Sequence, residues 1–152
     1  MVELNRKKTL GAIVLIAIIV VGTVITIAII FSIIGNEPRP EGTIISSKPV
    51  QSVSNIICYG DVDLIQTPSG DYVLYSHSMM VEAVGAKVFL SDKTSFNSQF
   101  DDLGTKELLG TLPYQYGNFS MSIPSSVTIA TYNTVVIVHA VSAAIQGYGR
   151  IN

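Results

Sequence analysis

The sequence predicts an all-β, sandwich-like outer domain attached to a single N-terminal transmembrane α-helix. Three observations predict it. An uncharged apolar run lies near the N-terminus, and short alternating or β-branched segments separated by turn residues follow it. There is a single cysteine, so no internal disulfide can form and the domain must stand on its hydrophobic core.

The apolar run extends from Leu10 to Ile34, twenty-five residues without a charge. As a helix rising about 1.5 Å per residue, it would cross a hydrocarbon core of roughly 30 Å with some tilt. A cleaved secretory signal has a shorter apolar region, about 7–15 residues, followed by a small-residue cleavage site. Here the run leads into Gly35-Asn36-Glu37-Pro38-Arg39-Pro40 instead. Arg6, Lys7 and Lys8 precede the run and no basic cluster follows it, so the positive-inside rule keeps the N-terminus inside. The expected organisation is a cytoplasmic tail over 1–9, a transmembrane helix over 10–34, a linker over 35–49 and a β domain over 50–152. The expected location is the cell membrane, single-pass, with the domain outside.

Charge narrows the partners. Residues 35–152 carry ten acidic and six basic side chains, net −4. An acidic domain lacks the basic face that nucleic acid requires. The expected partners are membrane lipid, through the anchor, and an extracytoplasmic protein or ligand.

Pro38, Pro40 and Pro49, with Gly42 and Ser46-Ser47, read as an extended spacer. Asp61–Ile65 and Asp71–Tyr75 flank Thr67-Pro68-Ser69-Gly70, with Pro at the second and Gly at the fourth turn position. Residues 60–76 therefore form a hairpin. Ala86–Ser91 is a further strand, and the polar stretch from Ser91 to Gly104 is a loop. Asn118–Ile123 alternates strictly, with Phe119, Met121 and Ile123 on one face. Ser125–Tyr132 is a helical turn or connection. Thr134–Val141 is a continuous β-branched run, the signature of a central strand covered on both faces. Ala143–Ile151 closes the domain.

No phosphate loop, zinc cysteine pair or nucleophile elbow is present. The soft and imidazole ligands are Cys58, His77, His139, Met79, Met80 and Met121. Blue copper needs two His and a Cys with a weak axial Met, usually gathered in one short loop. Cys58 is far from both histidines in sequence, so Met79 and Met80 are expected in the core and His77 in a loop. His139, inside the most apolar run, is expected to be half-buried, neutral and hydrogen-bonded, and it is the candidate metal residue. No cofactor is predicted; a metal or haem is the alternative. Cys58, a free thiol after Ile56 and Ile57, is expected to be buried. Asn118-Phe119-Ser120 is a glycosylation triplet at the start of a strand.

The motifs of the C-terminal part, about residues 58–152, resemble those of the DM-thirteen family, also called electron-transfer DM-thirteen. Gly60-Asp61-Val62 looks like its Gly-led first strand, and Lys87–Ser91 like its "VYLS" strand. Asp102-Leu103-Gly104 matches "DLG", Leu108-Leu109-Gly110 stands near "LKG", and Phe119–Pro124 matches the strand ending in "IP". Tyr132–Ile137 leads into the final motif, and Gly147 fits its late glycine. The resemblance implies a β-sandwich and a redox role carried by a cysteine in that last motif. In this chain Val138 stands at the family's Trp and His139 at its Cys, so thiol chemistry does not carry over.

The expected function is a non-catalytic binding or assembly module. The alternatives are a redox accessory protein, metal-assisted through His139, and a pilin-like filament subunit processed near Gly11.

Overall fold

The computed structural model describes residues 18–23 and 34–152. The chain divides at Ile34 into two units. In the first, residues 18–23 are helical, and the Thr23 hydroxyl donates to the carbonyl of Ile19.

The transmembrane expectation is corrected here. Among the described residues no helix is long and apolar enough to cross a membrane. The described helical stretch covers about 9 Å at 1.5 Å per residue, well short of a bilayer core. Ile34, the expected last residue of the span, is the first residue of a strand. The single-pass anchor, the membrane location and the inside–outside orientation built on it are therefore unsupported. Apolar β-branched residues serve a strand as well as a helix, so hydropathy did not fix the backbone at Ile34. The remainder of 10–34, Arg6, Lys7, Lys8 and the Gly11 processing site lie outside the described residues.

The second unit is built from strands β1 (Ile34–Asn36), β2 (Thr43–Ser52), β3 (Cys58–Gln66), β4 (Tyr72–Val81), β5 (Lys87–Ser91), β6 (Lys106–Thr111), β7 (Tyr116–Ile123), β8 (Thr134–Val138) and β9 (Ile145–Arg150). They form one sheet in the order β1-β7-β4-β3-β2-β9-β8-β5-β6. All pairs are antiparallel except β1–β7, which is parallel. The expected sandwich of separate sheets is thus replaced by a continuous sheet curled into a half-barrel. The reason lies in β2. It pairs with β3 through Pro49 and with β9 from Val50 onward, so one strand joins the two halves. Proline has no N–H to give a ladder, and Pro49 sits where the strand changes neighbour. In sequence the same proline read as part of a spacer.

The core fills the concave side. Val62 and Leu64 of β3, Leu74 and Met79 of β4 and Phe119 of β7 meet Val88 and Leu90 of β5 and Val135 and Ile137 of β8. The opposite face of the second half buries Val136, Val138, Ile145 and Tyr148 beneath Phe96 and Leu103. Phe96 packs edge-on against Tyr148, centroids 5.3 Å apart. The polar loop 92–105 is therefore a folded cover. Ser91 Oγ donates to the Leu103 carbonyl at 2.6 Å, and Asp101 Oδ2 accepts from the Asn97 and Ser98 amides. Every residue of β8 is buried, as befits a strand covered on both sides. The strand ends at Val138, shorter than the run to Val141. A 3-10 turn over Ile129–Thr131 falls within the segment expected to be a helical turn.

The hairpin turn closes as its residues dictate, with Gly70 N donating to the Thr67 carbonyl and Thr67 N to the Asp71 carbonyl, both at 2.9 Å. Further along β4 an extra residue intrudes. Asp61 faces His77 but Tyr59 faces Met80, and on the other side Phe119 faces Ser76 but Gly117 faces Met79. The bulge centres on Ser78, which has a left-handed φ of +52°. It changes the parity of β4, so Met79 turns into the core and Met80 turns outward beside Tyr59. The expectation that both methionines fill the core holds only for Met79, 2% exposed.

Candidate functional site

The convex face of the first half carries the polar chemistry. Alternation along β3 sets Tyr59, Asp61 and Asp63 on that face, and β4 answers with Met80, His77 and Tyr75. The segment Glu37–Gly42, between β1 and β2, crosses over it as a strap. Glu37 Oε2 accepts from Ser120 N at 2.7 Å and from Ser120 Oγ at 2.6 Å. Tyr75 donates its hydroxyl to the Glu37 carbonyl at 3.2 Å. Arg39 Nη2 lies 3.3 Å from Asp63 Oδ2. Residues 35–49, expected as a spacer, are thus strap and strand.

Arg39, Asp63, Tyr75 and His77 line a cleft of about 250 Å³. The Asp63 side chain is only 5% exposed, and its Oδ1 has no hydrogen-bond partner. His77 Nε2 is 3.7 Å from Asp63 Oδ1, and His77 Nδ1 is 3.9 Å from Asp61 Oδ2. The imidazole thus stands between two carboxylates without a hydrogen bond to either. The rings of Tyr75 and His77 lie side by side, centroids 6.0 Å apart and planes at 21°. Beside the cleft, register lines up Tyr59, Met80, Tyr116 and Ile34 across β3, β4, β7 and β1. Tyr59 and Ile34 are about half exposed, at 52% and 45%.

Of the residues singled out in sequence, His77 lines the cleft, on β4 and not in the expected loop, and Met80 stands beside it; the others lie apart. Cys58 is fully buried in the core, and burial pushes its thiol up to about 12. A thiol held neutral there is a poor nucleophile and a poor metal ligand. His139 lies one residue beyond β8, half-buried in the β8–β9 turn. Its Nδ1 accepts from the amides of Val141 and Ser142 at 3.3 and 3.1 Å and meets Ser142 Oγ at 3.0 Å. The ring pins that turn, which also holds Ala143 at a φ of +56°. His77 and His139 therefore sit on different halves of the sheet. Met79 is in the core and Met121 is half-buried on β7. Among the described residues no group of three His, Cys, Asp or Glu side chains is placed to hold a metal ion.

Asn118 works within the fold. Its Oδ1 accepts from Ser78 N at 3.0 Å, tying β7 to the bulge of β4. Asn118→Ala removes that acceptor and is expected to cost about 1 kcal/mol, seen as a lower denaturation midpoint of the full chain. An unchanged midpoint would remove Asn118 from the bulge.

No family model, curated protein or solved structure matches this chain. Sequence reasoning missed Arg39, Asp63 and Tyr75. A signal for two of them was present. Counting back from the Thr67–Gly70 turn places Asp63 opposite Tyr75 and Asp61 opposite His77. Arg39 carried no such signal, because its neighbours read as spacer.

Proposed function

We propose that this chain is a non-catalytic binding or assembly module, and that its working surface is the convex face around the Arg39–Asp63–Tyr75–His77 cleft. One observation carries the reading: Asp63, which lines an open cleft, keeps a buried carboxylate oxygen without a donor. A buried acceptor left unmade costs free energy, and a ligand that supplies the donor recovers it. The row of Tyr59, Met80, Tyr116 and Ile34 adds an apolar rim of the kind that interfaces use. Tyr75 is committed to the strap and His77 reaches no hydroxyl, which favours binding over acid–base chemistry. The buried thiol of Cys58 speaks against a thiol redox role. The likeness to the DM-thirteen family enters the proposal through its order of motifs alone. The "VYLS"-like segment is β5, the "IP" segment ends β7, and the position of the family's cysteine falls in the β8–β9 turn.

Thermal unfolding of the full chain tests the reading. A ligand present at a hundredfold its Kd stabilises the native state by about 2.7 kcal/mol, which raises Tm by several degrees. Small alcohols, amides, carboxylates and amines should be compared on the wild type and on Asp63→Asn. A rise confined to the wild type supports the cleft as the working site. Equal rises in both proteins, or none in either, would remove it.

A further inference from the structure

We propose that the cleft is a site for an organic ammonium group, carried by a free amine or by a lysine side chain. The inference rests on the binding reading above and names the ligand class. Three features of the cleft select it.

The first is the free acceptor. Asp63 Oδ1 is the end of a carboxylate whose side chain is 95% shielded from water, and no donor reaches it. An ionised donor makes the strongest hydrogen bond to a carboxylate, so a charged N–H offsets the most desolvation. The second is that only one oxygen is free. Arg39 already holds Oδ2 at 3.3 Å. A guanidinium fork needs two oxygens side by side, whereas an ammonium is a compact point donor. The third is local charge. Asp61 and Asp63 from β3 and Glu37 from the strap face this part of the sheet, against Arg39 as the lone permanent cation among them. An incoming cation lowers the imbalance. The adjacent rings of Tyr75 and His77 flank the opening. They offer apolar surface to the alkyl stem, and the tyrosine ring can face the charge.

Calorimetric titration of the full chain tests this with four probes: butylammonium, an acetylated lysine-containing peptide with no free α-amine, butylguanidinium and butanol. The two ammonium probes are expected to bind. Asp63→Asn should weaken them about tenfold or more. His77→Gln should weaken them as well, by removing one of the two rings that line the cleft. This last variant keeps the test decisive if Asp63→Asn does not fold. A much tighter peptide assigns the site to a protein lysine; equal affinities assign it to free amines. Butylguanidinium or butanol binding as well as the ammonium probes, with the same dependence on Asp63, would overturn the ammonium assignment and leave the binding reading standing. Calcium displacing the amine at equal concentration would do the same. If none of the probes binds, both fail.

Discussion

Phe119→Ala is expected to be among the most damaging substitutions in this chain, at about 3–5 kcal/mol. The ring is 1% exposed and sits where β7 faces the shared core of both halves. Its removal forfeits the transfer free energy of the side chain and leaves a void that a curled sheet, braced by β4 on one side and β1 on the other, closes only in part. Chemical denaturation of the full chain, followed by its strand signal, should show the midpoint falling steeply. Phe100 supplies the control, because it is 70% exposed in the loop over the second half. Phe100→Ala should change stability by no more than about 0.5 kcal/mol. Similar losses at the two positions would mean that Phe119 is not the core residue its burial describes.

Phe119 was legible in the sequence, and the reason is instructive. The alternation of Phe119, Met121 and Ile123 is a local pattern with a period of two, and β7 has no irregularity within it. The hairpin turn and the β8 run were legible for the same reason. What could not be read were features set by distant partners. The switch of β2 from β3 to β9 depends on where β9 lies, and Pro49, which marks it, read equally well as part of a spacer. The bulge at Ser78 inverted the placement of Met80 because parity counted from Tyr75 runs through an extra residue. The stretch from Ser91 to Gly104 read as a polar loop, yet Phe96 and Leu103 anchor it on the sheet. At the cleft, the acidic residues of β3 and His77 were each visible. Their meeting required the register of the hairpin, and the role of Arg39 required the path of the strap. Hydropathy failed at Ile34, where an apolar residue pairs with Tyr116 in a parallel ladder.

Gly60→Ala is the second substitution expected to have a large effect, and it tests the device that shapes the convex face. Gly60 has a φ of +133°, a conformation that side chains disfavour. It lies opposite the bulge, where an added Cβ would come 2.7 Å from Met79 Cα and 2.9 Å from the Ser78 carbonyl oxygen. Those atoms are backbone, so the clash is relieved only by moving β4 away from β3. Movement there would also separate Asp61 and Asp63 from His77, since the same two strands carry them. Gly70 isolates the conformational part of the cost. It has a φ of +93°, and a Cβ there meets nothing within 4 Å. Gly70→Ala should therefore show strain alone, about 1–3 kcal/mol. Gly60→Ala should lose roughly a further 1–3 kcal/mol from crowding, with the midpoint of the full chain falling accordingly. If both alanines cost the same, the strands have room to spare at the bulge, and the close approach of β3 to Ser78 and Met79 does not hold the cleft residues in register.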